Sequence, residues 1–151
     1  MTHLTEGQKA PAFTGINQAG KKISLADFKG KKVVLYFYPK DHTPTCTIQA
    51  CNLRDNFAVL QNAGYVIIGI SPDSETSHQS FTTKNNLPFD LIADSQRIII
   101  DKYGVWGEKK LYGKKYFGLI RTTFIINEKG VIERIILKPK SKQYAEEILK
   151  N

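Results

Sequence analysis

The apolar residues of the chain fall into short continuous runs that are separated by polar stretches. Residues 33–38 and 65–70 form two such runs, rich in β-branched and aromatic side chains and free of polar alternation. Runs of this kind predict strands that are covered on both faces of a sheet. Because polar, periodic stretches lie between the runs, the pattern predicts strands interleaved with helices in a single α/β domain spanning residues 1–151.

Turn and cap residues between the apolar runs predict three further elements. Residues 122–127 and 131–137 flank a short glycine-containing turn at 128–130, which is typical of an antiparallel hairpin. A smaller hairpin is predicted around the turn at residues 17–20. Ser141 is a candidate N-cap for a C-terminal helix, whose apolar face would comprise Tyr144, Ala145, Ile148 and Leu149.

A helix is also predicted directly after Pro44. At about 100° per residue, Cys46 lies in the first turn at the centre of an apolar stripe, and Cys51 lies about 140° around the helix axis. The two cysteines are therefore expected on different faces, with Cys46 directed inward and Cys51 partly covered. The stripe around Cys46 comprises Ala50, Leu53, Phe57 and Leu60.

The chain carries a formal net charge of +8, which raises the possibility of an acidic partner. Its lysines fall in short groups within glycine- or proline-containing stretches, and we interpret these groups as solvated turns. A nucleic-acid site needs a basic face with interleaved aromatic side chains, and only Tyr112 and Tyr116 suggest one. We therefore expect no nucleic-acid partner. The lysine groups are Lys29, Lys31 and Lys32; Lys109 and Lys110; Lys114 and Lys115; and Lys138, Lys140 and Lys142.

The apolar runs are too short for a membrane protein. None approaches the roughly 18 residues that a membrane-spanning helix needs, and residues 1–13 have neither the basic start nor the apolar stretch of a secretory signal. We therefore expect no membrane association and a cytoplasmic location, where thiols are kept reduced. A cysteine in such a protein is ordinarily a buried structural thiol, or it takes part in chemistry.

Cys46 combines four features of a reactive cysteine. It follows a predicted strand and a proline-rich turn at the start of a helix, where free N–H groups and the positive end of the helix dipole stabilise a thiolate. Thr43 can place a hydroxyl near the sulfur. Pro39 ends the strand and shields one side of the turn. Cys51 supplies a second thiol five residues further on.

The arrangement Pro39-x-x-x-Thr43-x-x-Cys46 resembles the active-site signature of the peroxiredoxins. The longer string YFYPKDHTPTCTIQACNLRD is similar to the bacterioferritin-comigratory (Q-type) group. Arg121 stands in the place of the family's active-site arginine. Thr45 departs from the pattern, because the family commonly has glycine there; the change reduces backbone freedom and removes no catalytic group. Other similar segments are LTEGQKAPAF, SLADFKGKKVVLYFYPKD, VIIGISPDS, LPFDLIADS and GLIRTTFIIN.

This resemblance implies a thioredoxin fold, with a central mixed β-sheet flanked by helices and an N-terminal β-hairpin extension. It implies that Cys46 reduces H2O2 or an organic hydroperoxide and becomes a sulfenic acid, which Cys51 converts to a disulfide that thioredoxin reduces. Thr43, Arg121 and the Cys46 backbone N–H would hold the peroxide oxygens, beside the shielding Pro39. No cofactor or metal is implied, and members of the group are often monomers.

The proposed disulfide conflicts with an intact helix. Residues i and i+5 of a helix have Cα atoms about 8.7 Å apart, whereas a disulfide needs roughly 4.4–6.8 Å. We therefore predict a continuous helix through both cysteines in the reduced protein and unwinding of its first turn or two on oxidation. Three poor helix formers support this prediction: Thr45, Thr47 and Asn52.

Two other functions remain open from the residues alone. A thiol–disulfide oxidoreductase of the same fold usually carries Cys-x-x-Cys, but four residues separate the cysteines here, and Thr43 and Arg121 have no purpose in disulfide exchange. A basic nucleic-acid-binding module with incidental cysteines is the second alternative.

His42 is not expected to act as a general base, because a thiolate formed by local electrostatics needs none. Cys-x4-Cys lacks the second ligand pair of a structural zinc site, and His3 and His78 have no ligand partners at useful spacing.

Overall fold

The computed structural model describes residues 2–150, and its centre is a seven-stranded mixed sheet in the order β2-β1-β5-β4-β3-β8-β9. A separate two-stranded sheet is formed by β6 and β7. The strands are β1 (Thr14–Asn17), β2 (Lys22–Ser24), β3 (Lys32–Phe37), β4 (Tyr65–Ser71), β5 (Asp90–Ala93), β6 (Trp106–Leu111), β7 (Lys114–Leu119), β8 (Thr122–Ile126) and β9 (Ile132–Ile136).

Five short α-helices surround the sheet. Within residues 2–150, none of them has the length and apolar character required to cross a membrane. The helices are α1 (Pro44–Asp55), α2 (Phe57–Asn62), α3 (Glu75–Asn85), α4 (Ile98–Tyr103) and α5 (Tyr144–Leu149), with 3-10 turns at Leu25–Phe28 and Ser141–Gln143.

The pairing of the strands explains why the sheet is mixed. β3 runs parallel to β4 and β4 parallel to β5, whereas β8 is antiparallel to β3 and β9 antiparallel to β8. The N-terminal hairpin of β1 and β2 joins the sheet through antiparallel pairing with β5. The predicted α/β class, both predicted hairpins and both predicted central strands are therefore confirmed.

β3 divides the core into two layers, as expected for a strand that is buried on both faces. Its side chains alternate between the layers: Val33, Leu35 and Phe37 pack with α4 and the N-terminal segment, whereas Val34 and Tyr36 pack on the opposite face. That second layer also contains the apolar residues of α1, α3 and α5. The strand therefore places α1, and with it both cysteines, on one defined face of the sheet.

The predicted continuous apolar stripe through Leu60 is wrong in one respect. The helix is interrupted at Asn56, whose backbone has φ −112° and ψ 15°, so that Phe57 and Leu60 lie on α2 rather than α1. The Asn56 side-chain amide donates to the Asn52 carbonyl oxygen (2.8 Å). Such local side-chain bonds compete with helix propagation.

The predicted N-cap at Ser141 is also wrong. Ser141 lies in a 3-10 turn, and α5 begins at Tyr144. The Ala145 backbone N–H near the start of α5 donates to the side-chain oxygen of Asn52 on α1 (2.8 Å). The cap of the C-terminal helix therefore comes from another element of the fold. The buried face is as predicted for Tyr144, Ala145 and Ile148, and Leu149 is half-buried.

The lysines at 109–110 and 114–115 do not form a turn, as the sequence suggested, but belong to the paired strands β6 and β7. The connecting turn is limited to Tyr112 and Gly113, both with positive φ. Backbone pairing to a neighbouring strand therefore overrides the charged local sequence, which carries no strand pattern. Tyr112 and Phe117 are exposed on this hairpin.

Gly69 on β4 allows the buried layers to pack closely. A Cβ atom at this position would lie 2.8 Å from Leu91 Cδ2 and 2.9 Å from ring carbons of Tyr36. Because overpacking of a dense core costs about 1–3 kcal/mol, we expect Gly69→Ala to lower the free energy of unfolding by that amount in urea titrations. Gly118→Ala, whose Cβ would meet its nearest neighbours at 3.4 Å, should change stability by less than about 0.5 kcal/mol. Equal stability of the two variants would contradict this account.

Candidate active site

Cys46 lies in the first turn of α1 and is 1% exposed. Thr43 is the N-cap and Pro44 begins the helix, where its missing N–H costs no hydrogen bond. The backbone N–H groups of this turn have no partner within the helix and point toward its N-terminal end. The sulfur therefore lies in a buried position at the positive end of a twelve-residue helix.

Arg121 lies beside this sulfur although it is 75 residues distant in the chain. Its Nη2 is 3.2 Å from Cys46 Sγ. The pairing of β3 with β8 explains the contact, because the register joins Phe37 to Thr122 and so brings Arg121 to the end of β3 where the loop to α1 begins. A guanidinium at this distance brings a full positive charge to the sulfur and can donate a hydrogen bond to it.

Gln49 is part of this arrangement and was missed from the sequence. It is fully buried, and its Oε1 accepts a hydrogen bond from Arg121 Nη1 (2.8 Å). Its Nε2, together with the hydroxyl of Tyr36, has no hydrogen-bond partner among residues 2–150. A glutamine three residues after Cys46, on an otherwise apolar helix face, is the signal that could have identified it.

The other residues of the predicted site lie in the loop between β3 and α1. The Thr43 hydroxyl donates to the Lys40 carbonyl oxygen (2.8 Å), so its proton is engaged there while its oxygen can still accept a hydrogen bond. Pro39 is half-buried just beyond the end of β3. His42 is exposed, has φ 65°, and its ring lies edge-on to Phe81 with the centroids 5.2 Å apart.

Cys51 is half-buried on the other side of α1, as predicted. Its Sγ lies 3.6 Å from the side-chain oxygen of Asn85 at the end of α3. Both cysteines are free thiols, and α1 continues from Pro44 to Asp55 through both of them. The continuous helix predicted for the reduced protein is therefore confirmed.

A second buried polar cluster adjoins the loop that precedes Cys46. Asp41 Oδ2 lies 2.6 Å from His78 Nδ1, and its two oxygens also accept from the hydroxyls of Tyr38 (2.6 Å) and Ser77 (2.8 Å). The expectation that His78 lacks potential ligand partners is corrected by the fold, since atoms of Asp41, Asp73 and His78 lie within 4.8 Å of one another. Asp41 precedes Asp73 and His78 by 32 and 37 residues, so spacing along the chain could not have indicated the cluster.

The surroundings of Asp41 act on its pKa in opposite directions. Burial raises the pKa, whereas the hydrogen bond and positive charge of His78, with the hydroxyls of Tyr38 and Ser77, lower it. The net effect is a pKa below the ordinary value for aspartate. The carboxylate is therefore the form that this cluster stabilises.

The AhpC/TSA family matches residues 6–135 of the chain. The chain is 50% identical over 143 residues to a protein named putative peroxiredoxin bcp from Coxiella burnetii, and the match covers 95% of each. It is 43% identical to peroxiredoxin Bcp from Bacillus subtilis, with coverage of 95% of this chain and 91% of the relative.

Solved structures show the same similarity in three dimensions. A mutant of Xylella fastidiosa PrxQ superposes with a TM-score of 0.91 at 28% identity, covering 97% of this chain and 94% of that one. The bacterioferritin comigratory protein of Xanthomonas campestris, solved in a study of its alkyl peroxide reduction activity, gives 0.85 at 31% identity, covering 91% and 87%. These neighbours have the thioredoxin fold, and the predicted fold is confirmed.

The lowered pKa of Asp41 predicts how stability depends on pH. The Asp41 carboxyl binds a proton more readily in the unfolded chain than in the folded protein. Its contribution to the free energy of unfolding is therefore present above the unfolded pKa and is lost as the pH falls through the folded pKa. We expect Asp41→Asn to be less stable than wild type at neutral pH, with a difference that shrinks in acid, as measured by urea unfolding across a pH series. Asp101→Asn, at an exposed carboxylate, is the control and should leave the pH slope unchanged. Parallel curves for wild type and Asp41→Asn would contradict the prediction.

Proposed function

The chain belongs to the AhpC/TSA family and is a peroxiredoxin, a thiol-dependent peroxidase, and from that premise we propose that Cys46 attacks the peroxide and Cys51 resolves the product. Its substrate is a hydroperoxide and its reductant a thiol. The observation that carries the assignment is the 3.2 Å contact between Arg121 Nη2 and Cys46 Sγ in the first turn of α1. Cys51 lies further along α1, away from the helix start, with its Sγ 3.6 Å from the side-chain oxygen of Asn85.

In the first step the Cys46 thiolate attacks the terminal oxygen of the hydroperoxide. The sulfur–oxygen bond forms as the oxygen–oxygen bond breaks, and the leaving alkoxide or hydroxide takes up a proton to become an alcohol or water. Cys46 is left as a sulfenic acid. Negative charge moves from the sulfur to the leaving oxygen, so a donor that reaches both atoms stabilises the transition state more than the ground state.

We assign this task to Arg121, Thr43 and the Cys46 backbone N–H. Gln49 holds one end of the Arg121 guanidinium at 2.8 Å, which leaves Nη2 directed at the sulfur. The Thr43 oxygen can accept a hydrogen bond from the O–H of the peroxide. Because Cys46 is 1% exposed, these interactions act where little water screens them. Pro39, which has no N–H to solvate, covers the strand end beside the loop.

The second step requires α1 to unwind. Condensation of the Cys46 sulfenic acid with the Cys51 thiol forms the disulfide and releases water. In the helix their Cα atoms stand about 8.7 Å apart, beyond the roughly 4.4–6.8 Å that a disulfide spans. The second half of α1 is tied down, because Asn52 bonds to Lys142 and Ala145 and Arg54 bonds to Asn85. We therefore place the unwinding in residues 44–50.

Reduction of the disulfide completes the cycle. Unwinding exposes the Cys46–Cys51 bond to the nucleophilic thiol of a dithiol reductant such as thioredoxin. Both cysteines belong to one chain, so a monomer suffices for the whole cycle. A cytoplasmic location would supply the reducing thiols that the cycle consumes.

The two alternative functions receive less support from the site. A disulfide oxidoreductase must present its attacking sulfur to a protein disulfide, whereas Cys46 is almost fully covered in the folded state. The lysine groups at 109–110 and 114–115 lie on a hairpin that also carries Glu108, and Lys115 Nζ lies 3.5 Å from Glu108 Oε1, so the hairpin does not form a continuous basic face. Peroxide reduction is the activity that uses Cys46, Gln49 and Arg121 together.

The first test identifies the disulfide by intact mass. One equivalent of H2O2 should lower the mass of the reduced protein by about two units, because each sulfur loses one hydrogen. Cys46→Ser should show no change. Cys51→Ser should instead gain about 16 units as the sulfenic acid. Hydrogen exchange in residues 44–50 should rise on oxidation of the wild type. An unbroken α1 in the disulfide form would contradict the proposed unwinding.

The second test concerns Arg121. Loss of a donor aimed at developing charge lowers rates by about 10²–10³, so Arg121→Met should slow oxidation of Cys46 by H2O2 to that extent in competition kinetics. Arg121→Lys keeps the charge but loses the pair of guanidinium nitrogens that bond to Gln49 and to the sulfur at the same time. This variant should give an intermediate rate. Lys115→Met removes an exposed charge on β7 and is the matched control, with an unchanged rate. An Arg121→Met variant as fast as wild type would exclude the proposed role.

A further inference from the structure

The buried pair of Asp41 and His78 has no part in the chemistry proposed above. The side chains are 1% and 0% exposed, and Oδ2 and Nδ1 are 2.6 Å apart. Ionisable groups are rarely buried so completely unless they are paired, and breaking such a pair leaves an uncompensated charge. A pair of this kind needs a reason in a chain whose buried residues are mostly apolar or aromatic.

The hydrogen bonds assign the protons of the pair. His78 Nε2 lies 3.0 Å from the carbonyl oxygen of Ile92, which can only accept, so this nitrogen carries a hydrogen. The carboxylate of Asp41 accepts from Tyr38 at one oxygen and from Ser77 at the other. With Asp41 ionised, Nδ1 of His78 also donates. The arrangement is then an ion pair in which every polar atom has a partner.

A metal site is the alternative interpretation of Asp41, Asp73 and His78. Each candidate ligand atom already takes part in hydrogen bonding, however. Asp73 Oδ2 accepts from the Asp41 backbone N–H (2.8 Å) and from the Ser71 hydroxyl (2.7 Å). A cation at this place would have to displace several of these bonds, and the hydrogen-bonded ion pair accounts for all of them.

The cluster connects the loop before Cys46 to three other elements. Asp41 lies in this loop, five residues before Cys46. Through His78 it is joined to α3 and, by the Ile92 carbonyl, to β5. Through Asp73 it is joined to the segment between β4 and α3. The loop is therefore fastened to the sheet on one side, while its other end leads directly into the first turn of α1.

We infer that the Asp41–His78 ion pair is a positioning device that holds this loop in the conformation in which Cys46 reacts with peroxide. The inference rests on the proposed role of Cys46. Peroxide attack needs α1 folded with Cys46 against Arg121, whereas disulfide formation needs the same turn unwound. An anchor at Asp41 favours the folded arrangement, so its loss slows the first step and does not slow the second.

Two substitutions of His78 test its hydrogen bond to Asp41 and its hydrogen bond to Ile92 one at a time. The amide of asparagine can replace Nδ1–H toward Asp41, and the longer amide of glutamine can replace Nε2–H toward Ile92. We expect His78→Gln to slow oxidation of Cys46 by H2O2 by about tenfold or more, since it leaves the buried carboxylate without its strongest donor. His78→Asn should retain more of the wild-type rate. Both rates are measured in a single turnover on reduced protein.

The rate of disulfide formation from the sulfenic acid is the second readout, and it distinguishes positioning from general damage. In His78→Gln this rate should equal or exceed that of the wild type, and more H2O2 should be needed to over-oxidise Cys46. Tyr103→Phe is the matched control, because it removes a buried hydrogen bond to Pro11 on the opposite face of the sheet and should leave both rates unchanged. If His78→Gln does not fold, Tyr38→Phe and Ser77→Ala each remove one donor to Asp41 and should show the same direction of effect.

Three outcomes would overturn the inference. Unchanged rates in all variants would show that the pair does not act on Cys46, and a proportional loss in both steps would indicate a structural role alone. Loss of wild-type activity on treatment with a chelator would favour the metal site. If wild-type Cys46 itself reacts with H2O2 no faster than free cysteine, the proposed function fails instead, whatever the His78 variants do.

Discussion

The chemistry that we propose for this protein depends on one contact, between the guanidinium of Arg121 and the sulfur of Cys46. The helix start supplies partial positive charge, the arginine supplies a full one, and burial keeps both from being screened by water. The contact exists because β8 pairs antiparallel with β3, which brings the residue before β8 to the end of the strand that precedes the active-site loop.

In the cycle that we propose, the same helix has to satisfy two opposed requirements. Its first turn must be folded for Cys46 to meet Arg121, and it must unwind for Cys46 to reach Cys51. The fold distributes its hydrogen bonds accordingly. Asn52 and Arg54 fasten the second half of α1 to the C-terminal segment and to α3, and Asp41 fastens the loop before it. The segment between these attachments begins with a proline and contains two threonines, which are weak helix formers.

Several buried polar groups lie in this region, although most buried residues of the protein are apolar or aromatic. Burial of Asp41 and Gln49 would be costly without partners. Asp41 is compensated by His78 and two hydroxyl donors. Gln49 is compensated on one side only, by Arg121. Such groups specify one arrangement of neighbouring elements, because few alternative packings satisfy all their hydrogen bonds.

The sequence by itself determined the features that depend on neighbours close along the chain. Local periodicity and spacing account for the covered strands, for the hairpin whose turn is at residues 128–130, for the different helix faces of Cys46 and Cys51, and for the motif around Cys46. Only the tertiary structure decided the pairing of Arg121 with Gln49, the Asp41–His78 ion pair and the start of α5, which Asn52 caps across 93 residues. The physical reason is that a side-chain hydrogen bond needs its two atoms within about 3 Å, and separation along the chain says nothing about that distance until the sheet and helices have packed.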